Sequence, residues 1–181
     1  MRYPHPTSWQ LACAVVAMGV VVLASNILVQ HAINDWLTWG AITYPFAFLV
    51  TELVNRAFGP AQARRVAWVG FAVAVLASAI LAPVRIAAAS GLAFLLSQML
   101  DISVFDRLRQ SRWWRAPLIA TMLAAILDTC VFWGIGFAGE DLPWVTWALG
   151  DLGVKLVMAV CLLLPFRLFI GKNAHTNALH G

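Results

Sequence analysis

Long apolar runs separated by short polar segments are the feature that most constrains how this chain folds. A helix that crosses a bilayer needs roughly 20 mostly apolar residues, and runs of about that length recur along the sequence. Of the 181 residues, 62% are hydrophobic and 11% are charged, whereas about a quarter of the residues of a soluble domain are charged. The sequence therefore predicts an all-α, polytopic membrane protein with no separate soluble domain.

Six spanning helices, packed as a bundle, are predicted from the apolar runs and from the charged, glycine and proline residues that separate them. They cover residues 9–30, 41–57, 66–82, 84–100, 117–137 and 143–169. We interpret the first as an uncleaved helix rather than a signal peptide, because its apolar stretch is long and further spans follow. Residues 1–172 are thus expected to form a single integral membrane domain, and 173–181 a disordered tail.

Between the fourth and fifth predicted helices lies the segment DISVFDRLRQSRWWR. Its apolar residues Ile102, Phe105 and Leu108 recur at helical spacing, and arginines fill the other side. Such a pattern is typical of a helix that lies along the membrane interface.

The distribution of basic residues predicts the orientation in the membrane. With six spans, both termini share a side with the second-to-third and fourth-to-fifth loops, and only Arg85 and Lys155 fall elsewhere. The positive-inside rule places this basic side in the cytoplasm. An anionic leaflet explains the net charge of +4 more simply than nucleic acid does. The basic residues on this side are Arg2, Arg56, Arg64, Arg65, Arg107, Arg109, Arg112, Arg115, Arg167 and Lys172.

Four ionisable residues fall near the middle of predicted spans: Glu52, Asp128, Asp151 and Lys155. Each costs on the order of 2.5 to 3.5 kcal/mol if it faces lipid, so we expect them to pair, face inward or line a wet cavity. Asp151 and Lys155 are one turn apart and can pair, either as a lock between helices or in contact with a ligand. Asp128 and Glu52 need a partner from another helix, a proton or a ligand, although Glu52 can also reach toward the basic side near Arg56.

Other residues near these spans favour a flat, hydrogen-bonding ligand. Pro45 interrupts the second predicted helix, and broken spans often build substrate sites near the midplane, although proline and glycine also serve close helix packing. Asn26 and Gln98 supply amides that donate and accept. A carboxylate can accept two adjacent N–H groups of a purine-like ring, and aromatic side chains can stack on it. The candidate aromatic residues are Tyr44, Phe46, Phe48, Phe132 and Trp133.

No cofactor or metal site is predicted. Cys13, Cys130 and Cys161 lie in apolar runs without Cys-x-x-Cys spacing, and the histidines fall outside the predicted spans. The sequence has no G-x-x-x-x-G-K-S/T loop, so this chain does not itself hydrolyse ATP by that route.

Three segments carry a family resemblance: TYPFAFLVTELVNRAFGPAQARRV, RIAAASGLAFLLSQMLDISVFDRLRQSRWWRAP, and LDTCVFWGIGF followed by Lys155. They resemble the queuosine precursor transporter family, six-helix membrane proteins similar to the substrate-binding components of vitamin importers. The resemblance implies import of 7-cyano-7-deazaguanine and 7-aminomethyl-7-deazaguanine, the precursors of queuosine in transfer RNA, across a bacterial inner membrane. It also implies a substrate-binding set of Asn26, Phe46, Glu52 (more often aspartate in the family), Arg85, Ser90, Gln98, Asp128, Thr129, Phe132 and Lys155.

The aminomethyl base is a cation on a flat ring, so one carboxylate can hold the guanine-like edge and a second the ammonium. We expect Asp128 to bind the ring edge, with amides of Gln98 and Asn26 completing the hydrogen bonds and Phe132 or Phe46 stacking. Either Asp128 or Glu52 can carry a proton, because burial disfavours a charged carboxylate.

Several alternatives stay open on the sequence alone. The chain can be a self-sufficient carrier, a facilitator of diffusion, or a substrate-binding subunit for another vitamin or base that works with a separate ATPase. An intramembrane aspartyl hydrolase would need Asp128 and Asp151 within a few ångström of each other. A homodimer is the expected oligomeric state.

Overall fold

Helices make up nearly all of the regular structure in the computed structural model, which describes residues 3–28, 31–34, 36–81 and 83–179. Helix α1 (Ser8–Leu28) is followed by an antiparallel pair of short strands, β1 (Ala32–Asn34) and β2 (Leu37–Thr38). The remaining helices are α2 (Trp39–Thr43), α3 (Phe46–Phe58), α4 (Pro60–Leu81), α5 (Val84–Leu108), α6 (Arg115–Gly136), α7 (Trp144–Cys161) and α8 (Leu163–Leu179).

The predicted all-helical membrane architecture is confirmed in outline. By length and composition, four segments of the described chain can cross a bilayer: Ser8–Ser25, Val84–Leu108, Arg115–Gly136 and Trp144–Gly171. The count of six spans stays a prediction, as does the boundary of the tail at residue 173, where the structure continues α8 to Leu179. Arg2 and the predicted helix ends at residues 30 and 82 lie outside the described residues.

Pro45 interrupts the second predicted helix, as expected. Proline has no backbone N–H to continue the helical ladder, and the chain turns so that the Ala47 N–H donates to the Tyr44 carbonyl at 2.9 Å. Helix α3 then runs for only 13 residues, fewer than the roughly 20 of a full span. The break leaves Tyr44 at the turn between α2 and α3.

The prediction that the segment after residue 100 forms a helix along the membrane interface is wrong. Helix α5 continues unbroken to Leu108, and Ile102 and Phe105 are buried at 0% and 1% exposure. The ring of Phe105 packs edge-on against Phe166 of α8, with 5.8 Å between the ring centroids. No glycine or proline after Gly91 interrupts α5, so the apolar stripe that suggested an interfacial helix packs against the protein instead.

Helix α4 also begins earlier than predicted. Its first residue is Pro60, the position at which the missing N–H of proline is tolerated best. Gly59 precedes it with a φ of 86°, a backbone conformation that residues other than glycine rarely adopt. The arginines at 64 and 65 therefore belong to the first turns of a helix rather than to a loop.

Helix α5 lies at the centre of the packing and contacts α3, α4 and α6. Helices α5 and α6 both bury small residues, namely Ala89 and Ala93 on α5 and Ala116, Ala120 and Ala124 on α6. Small side chains let two helix backbones approach closely. Polar residues on the same faces are thereby brought within reach of one another.

Candidate substrate-binding site

A buried set of three charges joins α6 to α7. The Nζ atom of Lys155 lies 2.7 Å from Oδ2 of Asp128 and 2.5 Å from Oδ2 of Asp151. Asp128 and Lys155 are each 4% exposed. We call these three residues the ion cluster; two carboxylates and one ammonium give it a formal charge of −1. The predicted pairing of Asp151 with Lys155 is confirmed, and Lys155 is also the partner that Asp128 needs from another helix.

Asp128 uses both of its carboxylate oxygens within the protein. Tyr44 donates its hydroxyl proton to Oδ1 at 2.8 Å, and the Ser97 hydroxyl reaches the same oxygen at 3.3 Å. Lys155 holds Oδ2. Thus the turn before α3, the middle of α5 and the middle of α7 all converge on one side chain of α6.

Asp151 uses only one of its oxygens in this way. Oδ2 accepts from Lys155, from the Thr129 hydroxyl at 3.1 Å and from Nε1 of Trp133 at 3.4 Å. Within the described part of the chain, no donor is hydrogen-bonded to Oδ1. The side chain is 14% exposed, against 6% for Asp128. Of the four carboxylate oxygens in the ion cluster, Oδ1 of Asp151 is therefore the one without a donor among the described residues.

Aromatic rings adjoin the ion cluster through Trp133. Its ring lies 5.4 Å from Phe132, 4.8 Å from Phe137 and 6.1 Å from Trp147, between centroids. Phe132 and Trp133 are half-buried. A partly open aromatic surface beside a carboxylate provides the two elements, stacking and hydrogen-bond acceptance, that a flat heterocycle needs.

A second polar cluster lies deeper in the bundle. The Thr121 hydroxyl donates to Oε1 of Glu52 at 2.7 Å, and the Thr51 hydroxyl donates to Oε1 of Gln98 at 2.8 Å. Asp101 is close enough to Glu52 for their charges to interact. Because Thr121 precedes Asp128 by seven residues, this level is about 10 Å from Asp128 along α6.

Nine of the ten predicted site residues have described side chains, and they divide into two groups and three residues that lie elsewhere. Asp128, Thr129, Phe132 and Lys155 come together, whereas Glu52 and Gln98 belong to the deeper cluster. The side chain of Asn26 in α1 lies outside the described residues. Substrate contact by any member of the predicted set stays a prediction.

The other three predicted residues lie away from both polar clusters. Phe46 is 38% exposed at the start of α3, and Ser90 is half-buried on α5. Arg85 is exposed and binds the carbonyls of Ile135 and Ala138 and the carboxylate of Glu140. Its contacts therefore fasten the start of α5 to the end of α6.

Tyr44 and Ser97 are partners that the sequence did not single out for this role. Tyr44 stood only among several aromatic residues, although its place directly before Pro45 was a signal that the helix break would present it. Ser97 adjoins the predicted Gln98, but helical periodicity alone does not reveal which of two neighbours faces a carboxylate.

The position of Lys155 bears on the hydrolase alternative. Its ammonium lies between Asp128 and Asp151, so these carboxylates form an ion triad rather than a pair that shares a proton.

A groove of about 360 Å³ between α4 and α5 is lined by apolar residues alone. It therefore offers no side chain that can recognise the polar edge of a base.

Comparison with known proteins gives concordant results. The model of a family described as "Putative vitamin uptake transporter" matches residues 38–170, a range that contains both polar clusters. The chain is 36% identical to the "Queuosine precursor transporter" of Escherichia coli (strain K12), over 81% of this chain and 79% of the relative. It is 33% identical to a "Probable queuosine precursor transporter" of Haemophilus influenzae, over 80% and 79% respectively. No solved structure matches it.

Proposed function

This chain belongs to the queuosine precursor transporter family of multi-pass membrane proteins, and we propose that it imports both 7-cyano-7-deazaguanine and 7-aminomethyl-7-deazaguanine. The observation that carries the proposal is the negatively charged ion cluster, with Oδ1 of Asp151 open beside aromatic rings. Substrate binds between α6 and α7 in this arrangement, with the ring against the aromatic surface.

The formal charge of the ion cluster suits the aminomethyl base. A bound ammonium at Oδ1 of Asp151 would bring two carboxylates and two ammonium groups together and neutralise the cluster. The cyano base has no such charge, so its affinity must come from stacking, worth roughly 1 to 3 kcal/mol per base, and from hydrogen bonds to the ring. Asp151 thereby becomes the residue that distinguishes the two substrates.

Asp128 contributes by holding the cluster in shape. It binds Lys155 and Tyr44 at 2.7 and 2.8 Å, and it reaches the edge of a substrate ring only when one of these donors gives way. Replacement by asparagine removes the charge that holds Lys155, and it turns either an amide N–H₂ or a neutral oxygen toward the ammonium. Import of both bases then fails.

The proposed orientation has both termini in the cytoplasm of a bacterial inner membrane. The arginine-rich ends of α3 and α5 lie together, since Arg56 and Arg109 donate to each other's backbone carbonyls at 3.2 and 3.1 Å. Basic residues at the ends of two helices therefore lie together at one end of the bundle. This concentration at one end is what the positive-inside rule associates with the cytoplasmic side.

The test is rescue of queuosine in the transfer RNA of bacteria that can neither make nor import its precursors. Cells are supplied with each free base at low concentration and express the natural chain, Asp128→Asn, or Asp141→Asn, a control at an exposed carboxylate. Rescue is expected with the natural chain and the control but not with Asp128→Asn. Equal rescue by all three would refute the role of Asp128, and no rescue by the natural chain in the membrane would refute the proposed substrates.

Transport by the purified chain in lipid vesicles decides between a self-sufficient carrier and a subunit that needs an ATPase. Uptake without any other protein supports the carrier that we propose, and uptake that requires a co-purifying ATPase supports the alternative. The mass of the protein in mild detergent tests the expected homodimer.

A further inference from the structure

The deeper polar cluster holds two carboxyl groups with no cation beside them. Glu52 is 3% exposed and Asp101 0%, and the two groups interact electrostatically. No described residue forms a salt bridge with either one, in contrast to the ion cluster, where Lys155 balances Asp128. Two negative charges together in a buried site without a cation would repel strongly, because the local dielectric is low.

Hydrogen bonding at this site is incomplete as well. Both oxygens of Asp101 are buried without a donor among the described residues, and so is Nε2 of Gln98 without an acceptor. Thr51 lies near enough to Asp101 to interact with it, yet its hydroxyl is placed to donate to Gln98. Buried polar groups in native proteins are nearly always paired. The site therefore lacks one positive charge and at least one donor.

A proton supplies both of the missing elements. Bound to one carboxyl group, it removes one negative charge and converts an acceptor into an O–H donor. We propose that Glu52 and Asp101 together bind one exchangeable proton, and that this carboxyl pair couples substrate import to proton movement. The coupling half of the proposal rests on the proposed function, whereas proton binding by the pair does not.

The surrounding charges do not supply an alternative partner. Helix α1 has no charged residue, and Arg64 and Arg65 of α4, Arg115 of α6 and Arg167 of α8 are exposed. On α6, Asp128 is engaged by Lys155. Arg85 of α5 binds Glu140. Arg56 of α3, one turn from Glu52, donates to the carbonyl of Arg109 and forms no salt bridge with a described residue. Arg109 is held by Asp106 and by Asn55.

The position of the carboxyl pair also fits a coupling role. It lies about 10 Å from the ion cluster along α6, on the side toward Arg109 and the basic end of the bundle. Ser97 contacts Asp128 of the ion cluster, and the next residue, Gln98, belongs to the cluster of the carboxyl pair. Consecutive residues of α5 therefore belong to the two polar clusters. A structural change at either cluster acts on the same turn of α5.

Infrared difference spectroscopy of the purified chain in detergent tests proton binding directly. Spectra recorded over a pH series, in H₂O and D₂O, should show the carbonyl band of a protonated carboxyl group in the natural chain and in Asp141→Asn. This band should be absent from the double variant Glu52→Gln, Asp101→Asn. A natural chain without the band, or a double variant that keeps it, would overturn the proposed proton site.

Vesicle transport of the uncharged cyano base tests coupling, with the membrane potential clamped at zero. For one proton per substrate, an inward gradient of one pH unit supports about tenfold accumulation, since one pH unit corresponds to a tenfold ratio. We expect tenfold accumulation by the natural chain and by Glu52→Asp, which keeps the carboxylate. The double variant should only equilibrate the base; loss of its counterflow as well would place Glu52 or Asp101 in substrate binding and overturn their assignment to coupling.

The outcomes separate the two proposals. Counterflow by the natural chain without a response to the pH gradient, or accumulation driven by sodium instead, overturns proton coupling and leaves precursor transport standing. The same tenfold accumulation by the double variant overturns the assignment to Glu52 and Asp101. A natural chain with neither uptake nor counterflow refutes the proposed function, and the infrared measurement then still decides whether the pair binds a proton.

Discussion

Replacing Asp151 with asparagine should separate the two proposed substrates. The substitution changes the formal charge of the ion cluster from −1 to 0 and leaves the bond between Lys155 and Asp128 at 2.7 Å in place. An amide oxygen can still accept from Thr129 and Trp133, so the shape of the site is kept. What disappears is the negative charge that faces a ligand at Oδ1.

The size of the effect follows from the environment of that charge. A hydrogen bond to a charged group contributes about 1.5 to 3 kcal/mol, and the side chain of Asp151, at 14% exposure, is screened only in part by solvent. Loss of this interaction weakens binding of the aminomethyl base by roughly 10- to 150-fold. The uncharged cyano base loses no ionic contact, and we expect its dissociation constant to change by less than about threefold, a difference under 1 kcal/mol.

Calorimetric titration of both bases into the purified variant measures this difference. The matched control is Asp141→Asn, which removes the same charge from an exposed position of the loop between α6 and α7. Equal weakening for both bases would mean that Asp151 holds the ring or the fold rather than the ammonium. Unchanged binding of the aminomethyl base would remove the ion cluster from substrate recognition.

Two further substitutions test how the ion cluster is held together. Lys155→Met leaves two buried carboxylates without their cation and should lower the free energy of unfolding by about 3 to 5 kcal/mol; denaturation in detergent measures the loss, and a variant as stable as the natural chain would contradict the buried ion triad. Tyr44→Phe removes the 2.8 Å hydrogen bond to Asp128 but keeps the ring. We therefore expect a smaller loss of unfolding free energy, about 1.5 to 3 kcal/mol, and reduced uptake. Full stability and full uptake would show that this hydrogen bond contributes to neither stability nor transport.

The sequence predicts the parts of this molecule that depend on local chemistry. Pro45 interrupts a helix because it falls inside a predicted span and lacks an N–H, and the pair of Asp151 and Lys155 needs only helical spacing. Only Arg85 and Lys155 are basic residues that the sequence places away from the cytoplasmic side, so they were the candidate cationic partners of Asp128. Choosing between them requires knowing which end of α5 meets which level of α6, and this is a property of packing.

The wrong prediction of an interfacial helix at Ile102 and Phe105 has the same origin. Helical spacing shows that these residues share a face with Leu108, but it does not show whether the face meets lipid headgroups or another helix. Likewise, the sequence shows only that Glu52 and Asp128 both need a partner, and it offers Glu52 the added possibility of reaching toward Arg56. Their difference appears only when α3, α5 and α6 are packed, which places a lysine beside one and a second carboxyl group beside the other.

In the proposed function, this difference in charge balance gives the two clusters different tasks. At the ion cluster, Lys155 already compensates Asp128, so a proton there would compete with an ammonium at 2.7 Å, whereas the open oxygen of Asp151 can accept a ligand cation. At the carboxyl pair the reverse holds: no described residue forms a salt bridge with it, and it lacks a positive charge that a proton can provide. A carrier that couples substrate import to proton movement needs sites of both kinds, linked by an element that responds to each. Ser97 and Gln98, consecutive on α5, are the residues through which that link would run.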